Sequence, residues 1–128
     1  MSTVNIQYDA ARELVIFTAI GLLTIEDFIA AGDAHFLNHA TSCSIWDLRK
    51  ADLSSIRLDN MHALSRRSAD VSKSRPDPRT ALVVDDDGKR ALVRLYEALA
   101  ESTGTPVIYR IFGTLEDAVE WIDQERGS

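Results

Sequence analysis

Three groups of side chains in the sequence carry chemistry that a functional site could use. The first is the acidic run of residues 85–87, directly after an apolar segment, with Asp47 at the end of an earlier one. Carboxylate oxygens suit Mg²⁺, and open α/β sheets bind ligands at the carboxyl ends of their strands. The alternative is a solvated turn whose last aspartate, Asp87, caps the next helix. Because the other parts of a phosphoryl-transfer site are missing, we favour the turn and predict no cofactor and no metal site.

The second group is His35, His39 and Cys43, each four residues after the one before. Two histidines at this spacing on one helix can bind zinc. We expect the helix to end near His39, however, so Cys43 would not share its face and His39 would lie at the negative end of the helix dipole. A structural role is therefore favoured. The sequence has no glycine-rich phosphate loop and no Gly-x-Ser-x-Gly turn, and we predict that the protein is not an enzyme.

The third group is a pair of serines, Ser54 and Ser55, in a loop predicted over residues 49–57, which also contains Leu53 and Ile56. The helix predicted after it is basic and only half apolar on its inward face. Such a weakly anchored helix can move as a lid or dock a partner. The alternative is that the two apolar residues fill the edge of the core while the arginines are solvated.

These groups are positioned by alternating strands and helices. Strands are predicted over residues 4–8, 14–20, 43–48, 80–84 and 107–112, and helices after Thr24, over 58–71, around 92–99 and after Thr114. Each of these threonines is followed three residues later by an aspartate, Asp27 or Asp117, which is the pattern of a capping box. Helices that alternate with strands require parallel pairing through right-handed crossovers. We therefore predict one α/β domain over residues 1–128, with a mixed, mostly parallel five-stranded sheet, four helices in the order β-β-α-β-α-β-α-β-α, and the first strand antiparallel at one edge.

The composition is globular, with 45% hydrophobic and 27% charged residues. A net charge of −6 argues against non-specific nucleic-acid binding, which needs a basic surface. No apolar stretch approaches the roughly 18 residues of a transmembrane helix, and the N-terminus lacks the features of a signal peptide. With a single cysteine, these features predict a cytoplasmic protein.

The element order resembles that of the STAS family, the anti-sigma-factor antagonists, and within it the small SpoIIAA-like proteins of bacteria. The segments that carry the likeness are the edge hairpin, the capped helix at Thr24, the strands Ile45-Trp-Asp-Leu48 and Ala81-Leu-Val-Val84, and the closing stretch from Phe112 to Trp121. In family members that regulate sigma factors, a partner kinase phosphorylates a serine or threonine after the third strand. The resemblance makes Ser54 and Ser55 the candidate phosphorylation sites.

The resemblance implies a non-enzymatic regulatory module that binds a protein partner through the loop and helix after the third strand. Some SpoIIAA-like proteins look similar to lipid-binding domains, so the alternative is a carrier of a small apolar or lipid-like ligand in a pocket under that helix. The residues predicted to bind the partner or ligand are Asp47, Arg49, Leu53, Ser54, Ser55, Ile56, Arg66 and Arg67.

Overall fold

Five strands form one mixed sheet in the computed structural model, which describes residues 2–126. The strands are β1 (Ser2–Asp9), β2 (Leu14–Leu22), β3 (Cys43–Asp52), β4 (Arg79–Val83) and β5 (Ile108–Phe112). They lie side by side in chain order. β1 runs antiparallel to β2, and the other neighbouring pairs are parallel. The predicted five-stranded sheet with an antiparallel edge strand is confirmed.

Four helices cover the two faces of this sheet. They are α1 (Ile25–Phe36), α2 (Leu58–Val71), α3 (Asp87–Ser102) and α4 (Leu115–Arg126). α4 packs on one face, where Ala118, Trp121 and Ile122 contact Cys43 and Ile45. α1, α2 and α3 cover the other face. The central strands are consequently buried on both sides, which explains their nearly continuous apolar character.

Both helix starts predicted from capping boxes are confirmed. At α1, the Thr24 hydroxyl accepts from the Asp27 amide at 3.2 Å, and the Asp27 carboxylate accepts from the Thr24 amide at 2.9 Å. The hydrogen bond from the Thr24 backbone is the main reason that the pKa of Asp27 is lowered. At α4, the Asp117 amide donates to the Thr114 hydroxyl at 3.1 Å. These bonds satisfy helix amides that have no partner within the helix.

The predicted loop over residues 49–57 is wrong in its first half, because β3 continues to Asp52. Residues 50–52 pair with the end of β2, from Ile20 to Leu22, and Ala51 is buried. The charged pair Arg49-Lys50 hid this extension, since it interrupts the apolar pattern that marks the strand. The connection from β3 to α2 is therefore only residues 53–57, held between two fixed elements.

Candidate functional site

A cavity of about 100 Å³ lies between the sheet and the helices α1, α2 and α3. Its floor consists of side chains from three parallel strands: Ser44, Trp46 and Leu48 of β3, Thr80 and Leu82 of β4, and Tyr109 of β5. α2 forms the roof, although only two of its side chains, Met61 and Ser65, are fully buried. The cavity exists because small residues, among them Gly32 of α1 and Ser68 of α2, line it where a filled core would hold large ones.

The cavity is apolar at one end and polar at the other. At the carboxyl ends of the strands it is lined by Ile25, Leu53, Ile56, Leu92 and Val93. At the opposite end lie Ser44, Thr80 and Arg75, and the two hydroxyls hydrogen-bond at 2.8 Å. Ser44 and Leu48 lie four residues apart on β3, which at about 3.3 Å per residue separates the two ends by roughly 13 Å. The space is therefore elongated along the strands.

Arg75 places a buried positive charge at the polar end, with only 5% of the residue exposed. Its Nε donates to the Thr41 carbonyl at 2.7 Å, Nη1 to the Ser72 hydroxyl at 3.0 Å, and Nη2 to the Ser42 carbonyl at 3.0 Å. The guanidinium also stacks over the Phe36 ring, 4.3 Å from its centroid. Burial lowers the pKa of Arg75 to about 10. Within residues 2–126, no carboxylate forms an ion pair with this side chain.

A chain of hydroxyl groups runs along the wall of the cavity. The Ser68 hydroxyl hydrogen-bonds the Tyr109 hydroxyl at 3.0 Å, and Tyr109 bonds Tyr96 at 3.2 Å. Burial raises the pKa of Tyr96, which keeps its hydroxyl protonated. Arg75 and these tyrosines were not among the predicted site residues. The sequence has many arginines and three tyrosines, and neither residue type nor spacing shows which of them are buried.

The structure divides the predicted site residues between several places. Leu53, Ile56 and Arg67 line the cavity. Asp47 and Arg49 do not: Asp47 alternates with Trp46 and Leu48 along β3 and so faces the α4 side. Its carboxylate is held by Arg49, whose Nε and Nη2 donate to it at 2.9 and 2.8 Å. Hydrogen bonding to Arg49 is the main cause that lowers the pKa of Asp47.

The two predicted serines lie in the short connection from β3 to α2. The Ser55 hydroxyl donates to the carbonyl of Leu23 at 2.7 Å, which ties the connection to the end of β2. The Ser54 amide donates to the Asp52 carboxylate at 2.9 Å. Two leucines are exposed here, Leu22 at the end of β2 (46%) and Leu58 at the start of α2 (51%).

The structure does not bring the predicted arginines to these serines. Arg66 and Arg67 follow Leu58 by eight and nine residues, roughly 12 Å along the helix axis. The Arg67 Nε donates to the carboxylate of Asp33 on α1 at 2.9 Å, so its charge is already paired. Arg66 is exposed on the surface of α2.

The acidic run after β4 forms the start of α3. The Asp86 carboxylate accepts from the Lys89 amide at 2.8 Å and is the N-cap, which corrects the prediction that Asp87 would be. The Lys89 ammonium lies 3.6 Å from both Asp85 and Asp86. It also donates to the carbonyls of Leu48 and Arg49 at 3.2 and 2.7 Å. A lysine thus supplies the positive charge among these carboxylates.

The two histidines adjoin the end of α1. The helix ends at Phe36, earlier than predicted, so His39 lies beyond it. His35 is buried, its Nε2 hydrogen-bonds the Thr41 hydroxyl at 2.7 Å, and its ring stacks on His39 with 5.2 Å between centroids. Cys43 lies across the sheet, in the cluster against α4. The three side chains therefore do not share one site.

Comparison with known proteins shows what the fold is similar to. No family model matches the sequence, and no curated protein matches it. Among solved structures, an anti-sigma factor antagonist from Mycobacterium paratuberculosis is similar at a TM-score of 0.68 and 13% identity, over 96% of this chain and 95% of that one. A protein of the DUF3478 family with a SpoIIAA-like fold, from Shewanella loihica, is similar at a TM-score of 0.58 and 17% identity, over 94% of this chain and 93% of that one.

These likenesses establish a SpoIIAA-like fold along nearly the whole chain, and the predicted STAS-type build is confirmed at that level. At such identities they concern the fold alone, so the function has to be argued from the site. Among residues 2–126, no helix combines the length and the apolar character that crossing a membrane requires.

Burial of His35 should make the stability of the protein depend measurably on pH. Burial, with smaller contributions from His39 and Arg75, lowers the pKa of His35 from 6.5 to about 4. The unfolded chain therefore takes up this proton first, and the free energy of unfolding should fall by up to about 3 kcal/mol between pH 6.5 and pH 4. In His35→Gln, which retains a hydrogen-bonding group for Thr41, the fall should be smaller by that amount. Urea unfolding at several pH values measures both, and identical slopes would contradict the assignment.

Proposed function

We propose that this chain is a non-enzymatic regulatory module that binds a protein partner through the junction where β2 and β3 lead into α1 and α2. We define this junction surface by Leu22, Ser54, Ser55 and Leu58. The observation that carries the proposal is the exposure of its two leucines, Leu22 and Leu58, on either side of the serine connection. The similar structure named as an anti-sigma factor antagonist supports a regulatory role by analogy of fold.

The junction surface combines properties that favour recognition. Apolar side chains lose unfavourable contact with water when a partner covers them, and the polar groups around them set orientation. The hydrogen bond from the Ser55 hydroxyl to the Leu23 carbonyl places the serine connection beside the end of β2. Arg66, also predicted to bind the partner, is exposed on the same helix but lies about 12 Å further along its axis than Leu58.

A second function, the carriage of a small apolar ligand, is favoured by a different observation, the cavity under α2. A ligand bound there would be enclosed by apolar side chains of α1, α3 and the sheet, as in most small-molecule sites.

If the chain is a carrier, native mass spectrometry of protein purified without denaturation should show a retained mass that is released on unfolding. Protein that carries no such mass, and acquires none from a cell extract, would contradict this second function.

Exchange of an exposed leucine tests the protein-binding proposal. Leu58→Asp should weaken binding of the partner by about tenfold or more, because it replaces an apolar contact with a charge that must be desolvated. Leu95→Asp is the matched control: Leu95 is exposed to a similar extent (48%) but lies on α3. The partner is captured from the native host with the wild-type chain, purified, and titrated against all three proteins. Equal affinity of the Leu58 and Leu95 variants would refute the proposed surface.

A charge at Ser55 should act as a switch on the same surface. Ser55→Ala and Ser55→Asp both lose the hydrogen bond to Leu23, so a difference between them reports the charge rather than the bond. A phosphate adds about −1.5 to −2 charge, and Asp imitates part of it. We expect Ser55→Asp to weaken partner binding by about tenfold and Ser55→Ala to bind nearly as wild type, in the same titration. If all three forms bind equally, the connection is structural only.

A further inference from the structure

We propose that the cavity under α2 binds a short-chain aliphatic carboxylate, with the carboxylate at Arg75 and the hydrocarbon tail toward Leu53 and Leu92. This assignment rests on the carrier function proposed above as the second candidate, and it names the chemical class of the ligand. It is independent of the protein-binding surface at the junction.

The first argument is the charge balance around Arg75. Its acceptors are backbone carbonyls and hydroxyls, which satisfy N–H groups but supply no formal negative charge. A buried positive charge without an anion is unfavourable, and a carboxylate in the cavity would relieve it. Nη1 makes one hydrogen bond, to Ser72, so one of its two N–H groups has no acceptor among residues 2–126. A carboxylate oxygen is a suitable acceptor for that group.

The second argument is the polarity of the cavity along its length. The hydroxyls of Ser68 and Tyr109 line the wall of the cavity. The hydrogen bonds that join Ser68, Tyr109 and Tyr96 use two of their three O–H groups, so one O–H remains to donate to a second carboxylate oxygen. The far end is lined by aliphatic side chains, including Leu53 and Leu92, which suit a hydrocarbon tail. A ligand that is charged at one end and apolar at the other matches this order.

The third argument is size and access. An apolar protein cavity of about 150 Å³ is enough to hold benzene. The 100 Å³ found here, elongated along the strands, is smaller. A short unbranched chain therefore enters only as the thinly packed α2 moves outward, and a long-chain lipid does not fit. The ion pair between Asp33 and Arg67 lines the cavity between α1 and α2, and its side chains are 29% and 38% exposed. When the side chains of Asp33 and Arg67 move apart, a ligand can enter the cavity from solvent between α1 and α2.

Arg75 also has a structural role, because it joins the carbonyls of residues 41, 42 and 79 to the end of α2. That role alone predicts loss of stability on substitution, but no preference among ligands of equal length. The test must therefore compare ligands of equal length that differ in charge.

Trp46 provides the readout, since it lines the cavity. The other tryptophan, Trp121, belongs to α4 on the opposite face of the sheet, and its buried indole N–H has no hydrogen-bond partner in the described chain. Trp121→Phe therefore removes the second fluorophore without breaking a hydrogen bond. In this background, Trp46 fluorescence is titrated with hexanoate, hexan-1-ol and hexylamine. We expect hexanoate to saturate at a concentration at least about tenfold below that of hexan-1-ol, and hexylamine not to bind.

Three variants assign the effect to the cavity and its charge. Arg75→Gln should abolish the preference for hexanoate over hexan-1-ol, and Arg75→Lys should retain part of it. Lys73→Gln, which removes an exposed positive charge two residues away, is the matched control and should bind as the parent does.

Gly32→Leu tests the cavity without touching Arg75. A Cβ at Gly32 meets only Phe36, at 4.0 Å, so the new side chain enters open space in the cavity. Leucine is also a better helix former than glycine, so the fold should be retained. We expect this variant to unfold at the parental temperature or above it and to lose hexanoate binding.

The outcomes separate the ligand class from the carrier function. Equal binding of hexanoate and hexan-1-ol, both lost in Gly32→Leu, would overturn the carboxylate assignment and leave the cavity as the site of a neutral ligand. No saturable change with any of the three compounds, or hexanoate binding unchanged in Gly32→Leu, would overturn both the assignment and the carrier function. Neither result bears on the protein-binding surface, which the Leu58 variant tests separately.

Discussion

The buried guanidinium of Arg75 joins parts of the molecule that would otherwise meet only through loops. It lies just after α2, and its donors reach the carbonyls that precede β3 and the one that begins β4, while its face covers the ring of Phe36 on α1. Backbone carbonyls at the ends of strands need partners when they are buried, and one planar side chain satisfies several of them. The position of α2 over the sheet depends on this arrangement, since so few of its own side chains are buried.

The thin packing of α2 connects the two proposed functions. Its start carries the exposed Leu58 beside the serine connection, and its inner face covers the cavity. An element held mainly at one end by hydrogen bonds and at the other by a short connection can adjust its height over the sheet at small cost. In the two proposed functions, this single element presents its outer surface to a protein and its inner surface to a small molecule.

The charged groups at the carboxyl ends of the strands have a different role. The Asp47 carboxylate accepts a hydrogen bond from Arg49. The Lys89 ammonium lies close to the carboxylates of Asp85 and Asp86 and donates to the carbonyls of Leu48 and Arg49 in β3. Opposite charges lie close together there, and the hydrogen bonds from Lys89 join the start of α3 to the end of β3. The acidic run at this end of the sheet thus has Lys89 beside it, whereas the buried Arg75, without a carboxylate partner among residues 2–126, lies at the other end.

The sequence by itself determined the order of the elements and where two helices begin. Alternating strands and helices require a mostly parallel sheet, and the hydroxyl and carboxylate at Thr24 and Asp27 lie within one turn, so their bonds depend only on neighbours in the chain. Tertiary structure alone decided the length of β3, the burial of Arg75 and the existence of the cavity. β3 continues because residues 50–52 find partners on β2, and the cavity is lined by small residues of two different helices, Gly32 of α1 and Ser68 of α2. Such features depend on contacts between residues far apart in the chain, and each residue's type is compatible with exposure as well as burial.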